Sequence, residues 1–338
     1  MSIVCLNRAV TNSGIGTYAS LITKVVGEKN VISFSMDKRT RDENFPGVLY
    51  HGFYPPVTSG WFFNYHFPNF FFKYKLNSEE IYHLLSPFNF PLPHNNYIVT
   101  FHDLYYLKKR SSSRLNRITK EYMNCRNLLT NSFTTKSELL DVGFDEERIT
   151  PVHLCVDDHF QEFPQEKTKV KESFSKEYNI KKPIILTVGD GDNKNNQIIN
   201  ETVKNDYFHI HVGKEVKADL NYANLDLTSM IRLYDVSDVF VRLSSYEGFG
   251  IPPIEALMRN TPCVVSDISV FHETLGNSVN YSQLEKEELR NALFNAIKDK
   301  EELLEEFDKK YRKHYSFDRF RNDMLNYYRK VESDLIQP

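Results

Sequence analysis

Two glutamates, Glu247 and Glu255, stand eight positions apart and are the residues of this chain best spaced for chemistry on one ligand. A glycine-rich turn and a double proline, Gly248 to Pro253, lie between them. The apolar run Val239-Phe240-Val241 is typical of a buried parallel strand, and Pro252 to Arg259 predicts a helix with proline in its first turn. Because ligands of doubly wound sheets bind at the carboxyl ends of strands, we expect both carboxylates to face one ligand.

The residues around this motif predict a β-α-β unit. Thr261-Pro262 ends the helix, and Cys263-Val264-Val265 predicts the next strand. The amino end of the helix, with its free N–H groups and partial positive charge, favours a phosphate at the same place. The alternative interpretation is that the two glutamates only cap and solvate a helix.

Length, charge and cysteine content restrict the class of protein. The 338 residues suffice for about two domains, and the net charge of -3 gives no electrostatic case for binding nucleic acid. The four cysteines are scattered singly, mostly in apolar surroundings, which predicts buried, reduced thiols and no structural metal. The first residues predict a strand rather than a signal peptide, and no run approaches the roughly 20 apolar residues that span a bilayer. We therefore expect a cytoplasmic protein.

Two motifs in the first half of the chain are suited to ligand binding. Gly14-Ile15-Gly16 opens a predicted helix, and its glycines would let the backbone approach a ligand closely. With Ala19 and Asp37 it also resembles a dinucleotide fingerprint, but seven residues separate it from the first strand, which argues against a nicotinamide cofactor. The predicted strand Tyr97 to Phe101 ends in His102-Asp103, which places an imidazole at a strand's carboxyl end; alone it would be interpreted as a hydrogen-bonded structural residue.

Two segments have open interpretations. The aromatic segment from Phe45 to Phe90 is either core packing, the favoured interpretation, or a surface that contacts an acceptor or a lipid. The basic segment 108–120 is either an ordinary solvated face, again favoured, or a peripheral contact with an anionic membrane at its cytoplasmic face.

A second domain is predicted after the polar, charge-rich stretch Asp157 to Lys182. Ile184 to Val188 is a continuous apolar strand, and the loop Gly189 to Asn196, which contains Lys194, follows at its carboxyl end.

In this order, the motifs resemble those of the retaining glycosyltransferases of family 4, which have the two-domain GT-B fold. The resemblance is strongest from Asp238 to Gly276 and includes Glu247-x7-Glu255, the Gly14-Ile15-Gly16 turn, His102-Asp103 and the segment from Asn131 to Asp157. It implies an α/β protein in which two Rossmann-like domains face each other across a cleft. The acceptor-side domain would span 1–160, completed by a C-terminal helix at 317–335, and the nucleotide-sugar domain 161–316.

The resemblance also implies an activity. It is the metal-independent transfer of a sugar, with retention, from a UDP- or GDP-linked donor to a glycan, lipid-linked or protein acceptor, without a cofactor. Glu255 would bind the ribose, Glu247 would hold the sugar, and His102 would contact the sugar near the reacting carbon. Lys194 would stabilise the departing diphosphate. The donor-binding residues implied are Gly14, Gly16, Lys194, Gly248, Phe249, Gly250, Ile251 and Glu255.

One departure from the family's pattern concerns the loop after Val188. Asp190 and Asn193 stand where arginines are expected, so that Lys194 is the cation that remains in this loop. Replacing a bidentate cation by a carboxylate is expected to weaken diphosphate binding by a few kcal/mol. Two alternatives stay open for that reason: a nucleotide-sugar epimerase of the same fold, and a catalytically silent binding or scaffold protein.

Overall fold

The computed structural model describes residues 3–8, 14–35, 48–51, 80–87, 97–105, 120, 122–123, 125–161, 167–214, 216–223 and 225–336. The chain divides into two compact units, one formed by Met1–His153 with Phe320–Pro338 and the other by Leu154–Arg319. Unit 1 is therefore discontinuous in sequence. Most of the aromatic segment and most of the basic segment 108–120 lie outside the described residues, so their interpretations stay predictions.

Unit 1 contains a parallel sheet. Its seven described strands are β1 (Ile3–Arg8), β2 (Val31–Ser35), β3 (Val48–His51), β4 (Ile81–Leu84), β5 (Tyr97–Phe101), β6 (Asn127–Thr130) and β7 (Ile149–Pro151). Their order is β3-β2-β1-β4-β5-β6-β7, which reverses between β1 and β4. Two helices, α1 (Gly14–Val26) and α2 (Phe133–Asp141), follow β1 and β6. The β4 and β5 strands are buried throughout, as expected of a sheet covered on both faces.

Unit 2 contains a second parallel sheet. Its six described strands are β8 (Ile184–Val188), β9 (Phe208–Val212), β10 (Leu220–Tyr222), β11 (Val239–Arg242), β12 (Cys263–Ser266) and β13 (Asn280–Ser282). Their order is β10-β9-β8-β11-β12-β13, which reverses between β8 and β11. Such a switch point is where open α/β sheets bind ligands.

Most of the described helices of unit 2 lie between or after its strands along the chain, and the first helix precedes them. The helices are α3 (Lys167–Glu177), α4 (Asn196–Val203), α5 (Leu227–Val236), α6 (Ile251–Met258), α7 (Ser269–Leu275), α8 (Lys286–Lys298) and α9 (Lys300–Lys310). Asp299, with a backbone outside helical geometry, separates α8 from α9. The β10 strand was not predicted, because three residues at a sheet edge carry no clear periodic signal.

The last helix, α10 (Phe317–Ile336), continues from unit 2 into unit 1. In unit 1, the Tyr328 hydroxyl lies 2.8 Å from Nδ1 of His83, and the ring of Phe320 packs edge-on against Tyr18. These buried contacts attach the C-terminal helix to strand β4 and helix α1.

The described part of the chain contains no helix that is both long and apolar enough to cross a membrane. All four cysteines, Cys5, Cys125, Cys155 and Cys263, are buried free thiols, as predicted.

Candidate active site

At the switch point of unit 2, hydrogen bonds connect the loop that follows β8 to the loop that follows β11. The Asn193 carbonyl accepts a hydrogen bond from the Ser245 N–H at 2.8 Å, and the Asn193 side chain donates to the Tyr246 carbonyl at 3.0 Å. Asn195 donates to the Leu243 carbonyl at 2.7 Å. Asn193 therefore holds the two loops together at the position where an arginine was expected.

A charged cluster lies at this switch point. Lys194 Nζ donates to Oε1 of Glu247 at 2.6 Å, and Arg242 Nε donates to the same oxygen at 2.8 Å. Ser244 Oγ donates to it as well, at 2.6 Å. The side chains of Lys194, Arg242 and Glu247 are only 13%, 8% and 12% exposed. Two cations on one carboxylate leave a net positive charge, and the hydrogen bonds that the described residues make to Glu247 all end on Oε1.

The cluster fixes the protonation state of Glu247. Burial by itself would raise the pKa of this carboxyl, but Arg242 and Lys194 outweigh burial and lower the pKa from 4.5 to about 2. Glu247 is therefore ionised at neutral pH, and its Oε2 can accept a hydrogen bond from a hydroxyl group.

Arg242 was missed at the sequence level. It is the last residue of β11, and its Nη1 donates to the carbonyl of Val188 at the end of β8. A signal for it existed, because arginine is rarely buried in an apolar strand such as Val239 to Leu243 unless a partner neutralises it.

Asp190, which stands where an arginine for the diphosphate was expected, makes hydrogen bonds with the end of β9 and the turn after it. Its carboxylate accepts hydrogen bonds from the Lys214 N–H at 2.9 Å and lies 3.2 Å from Nε2 of His211. Asp190 therefore contacts the end of β9 and the turn after it.

Helix α6 begins at the switch point, directly after Gly250. Gly250 has a φ of 86° and a Cβ at this position would overlap the Phe271 ring, so glycine is required here. The expectation that this helix presents free N–H groups needs a correction, because Pro252 and Pro253 carry none. The backbone N–H of Ile251 precedes them.

Gly248 and Phe249 are both buried. Phe249 packs its ring edge-on against Tyr315, with 6.0 Å between centroids. Its side chain therefore belongs to the packing of unit 2, and it is the backbone of this turn that could contact a ligand.

Glu255, the second glutamate, has a different environment. Its Oε2 accepts a hydrogen bond from the Tyr234 hydroxyl at 2.8 Å. Burial raises the pKa of Glu255 to about 7; Tyr234 acts in the lowering direction, and the charge of Asp157 adds to the rise. Near neutral pH this carboxyl therefore exists in both forms.

The remaining predicted residues belong to unit 1. His102 directly follows β5, with Tyr18 edge-on at 4.8 Å between ring centroids. Its Nε2 lies 2.8 Å from the Leu85 carbonyl oxygen, which can only accept, so Nε2 carries the proton. Burial lowers the pKa of His102 to about 4, although the Leu85 carbonyl acts in the raising direction. The ring is neutral at pH 7, with Nδ1 as an acceptor. Gly14 and Gly16 lie in the first turn of α1.

Across the described ranges, no group of three His, Cys, Asp or Glu side chains is arranged to hold a metal ion.

Comparison with known proteins places a family match on unit 2. Residues 221–314 match the model of the family "Glycosyl transferases group 1". A stretch of 95 residues is 38% identical to the O-antigen chain mannosyltransferase RfbU of Salmonella typhimurium. This stretch covers 28% of the present chain and 27% of RfbU, so the match spans about a quarter of that relative.

Solved structures match nearly the whole chain. HepE of Anabaena, in complex with UDP and glucose, has a TM-score of 0.79 at 11% identity, covering 98% of this chain and 100% of HepE. Sucrose-phosphate synthase of Thermosynechococcus elongatus has a TM-score of 0.73 at 16% identity, covering 99% and 100%. A glycosyltransferase of Rickettsia africae has a TM-score of 0.69 at 17% identity, covering 98% of each chain. These likenesses confirm the predicted α/β, two-domain GT-B fold.

Proposed function

We propose that this chain is a retaining, metal-independent glycosyltransferase that moves a hexose from a UDP- or GDP-linked donor to a glycan, lipid-linked or protein acceptor. The observation that carries the proposal is the ionised Glu247, held by two cations at the switch point of a unit that matches a glycosyltransferase family over residues 221–314. HepE, which has a similar fold, binds UDP and glucose, and RfbU is a mannosyltransferase; both support a nucleotide-linked hexose as donor.

In this proposal the switch point binds the donor. Oε2 of Glu247 accepts a hydrogen bond from a sugar hydroxyl, while the net positive charge of the cluster stabilises the diphosphate as its bond to the sugar breaks. Glu255 accepts hydrogen bonds from the ribose diol in its ionised form. Because Glu247 is a very weak base, its role is to position and polarise the sugar rather than to attack it.

In the same proposal, His102 of unit 1 acts as a hydrogen-bond acceptor for the reacting sugars. With the proton on Nε2, its Nδ1 accepts a hydrogen bond from a hydroxyl of the reacting sugars. Because the ring stays neutral above a pKa of about 4, this acceptor is available throughout the neutral range.

The experiment is to incubate the protein with a panel of UDP- and GDP-sugars and to measure the nucleoside diphosphate released. We expect release from at least one donor, loss of release in Glu247→Ala, and normal release in Glu302→Ala, which changes an exposed glutamate of α9. Activity should persist in EDTA, and the anomeric configuration of the product, read by NMR, should match that of the donor.

Three outcomes would contradict the proposal. Isomerisation of the donor's sugar without an acceptor would indicate an epimerase. Binding of nucleoside diphosphates without release from any donor would indicate a binding or scaffold protein. No release and no thermal stabilisation by any nucleoside diphosphate would exclude the donor site itself.

A further inference from the structure

The loop after β8 lies at the switch point but provides few groups that could bind a diphosphate. Asp190 contacts the turn after β9, and Asn193 connects two loops. The first turn of α6 has lost two N–H donors to Pro252 and Pro253. A diphosphate bound here therefore needs a positively charged partner besides Lys194.

Arg242 lies where such a partner is needed. It enters the switch point from β11 and its Nη1 reaches the end of β8, where a Cβ at Gly189 would come within 3.3 Å of the same nitrogen. Two contacts fix the guanidinium, Nε to Glu247 and Nη1 to Val188. Within the described part of the chain, Nη2 makes no hydrogen bond or ion pair.

We propose that Arg242 is the second cation of the donor's diphosphate site, supplied by strand β11 in place of the arginines that the loop after β8 lacks. The proposal rests on the proposed function, because it assumes that a nucleoside diphosphate binds at this switch point. Nη2 donates to a phosphate oxygen, and Lys194 provides a second, less directional charge.

The fixed geometry of Arg242 makes it suited to this task. An arginine that is already held by two hydrogen bonds loses little side-chain entropy when a phosphate binds. Its charge is only partly neutralised, because Glu247 shares one carboxylate between Arg242 and Lys194. A dianionic diphosphate therefore neutralises the positive charge of Arg242 and Lys194 that the single carboxylate of Glu247 does not.

The experiment compares nucleoside diphosphates with nucleosides. Binding of UDP, GDP, uridine, guanosine and inorganic pyrophosphate is measured by calorimetry on the full chain, its Arg242→Gln and Arg242→Lys variants, and Arg232→Gln as control. Arg232 is a half-exposed arginine of α5 that pairs with Glu177. We expect Arg242→Gln to weaken binding of the preferred nucleoside diphosphate by about 10- to 100-fold, the range of one charge-assisted hydrogen bond. Arg242→Lys should weaken it less, and the nucleoside should bind as before.

The outcomes separate this inference from the function on which it rests. If the unaltered chain binds neither UDP nor GDP, both proposals are overturned. If it binds one of them and Arg242→Gln binds it equally well, or loses diphosphate and nucleoside to the same extent, only the role of Arg242 is overturned. Where Arg242→Gln fails to fold by circular dichroism, Arg242→Lys decides: binding like that of the unaltered chain would contradict the role of the guanidinium.

Discussion

Replacing Glu247 by Gln should destabilise the protein, although the two side chains have nearly the same shape. The pKa of Glu247 lies at about 2 instead of 4.5, and at about 1.36 kcal/mol per pKa unit the fold favours the ionised form by about 3 kcal/mol. Glutamine resembles the neutral form and would leave Lys194 and Arg242 buried without their carboxylate. Since the folded pKa is depressed, this stability is present above pH 4.5 and is lost as the pH falls towards 2.

Thermal unfolding at pH 7 measures this effect. For a unit of this size, a loss of about 3 kcal/mol corresponds to a fall in Tm of about 6–12 °C. Inorganic pyrophosphate should restore more of the Tm in Glu247→Gln than it adds to the unaltered protein, because it replaces the missing negative charge. Glu302→Gln, on the exposed face of α9, is the matched control. A Tm of Glu247→Gln within about 1 °C of the control would refute the argument that the two cations depend on this carboxylate.

Three further changes have defined outcomes. Asp235→Asn breaks a buried bidentate pair with Arg259, at 2.9 and 2.7 Å, and should lower the free energy of unfolding in urea by about 3–5 kcal/mol. Gly250→Ala forces a φ of 86° on alanine and a clash with Phe271, so its Tm should fall by several degrees. Burial raises the pKa of Glu255 to about 7, so the free energy of unfolding should decrease as the pH rises from 4.5 through 7. Over the same rise in pH, calorimetry should show that nucleoside diphosphates bind more tightly.

The sequence predicted the local elements of the site well because their signals are local. Val239 to Val241 is an uninterrupted apolar run and Pro252 fixes the start of the next helix, so strand β11 and helix α6 were found within a residue or two. The local signal is weak for the three-residue edge strand β10, and the sequence did not predict it.

The pairing within the site could not be predicted in the same way. Lys194 and Glu247 are 53 positions apart, and they meet because β8 and β11 are neighbours in a sheet whose order reverses between them. Sequence spacing does not specify which strands pair. A buried arginine needs a carboxylate partner, so Arg242 at the end of an apolar run carried a signal for one near the end of β11, and this signal was missed.

The two glutamates of the motif are chemically unlike, and the difference argues for separate roles. Two cations hold Glu247 ionised, whereas Glu255 accepts a hydrogen bond from a phenol and has a pKa raised to about 7. Tyr234 occupies Oε2 of Glu255, which leaves Oε1 to meet a second donor. A diol offers donors that an ionised carboxylate accepts and a protonated one accepts less well. Glu247 therefore stays ionised across the neutral pH range, whereas the charge of Glu255 changes with pH within that range.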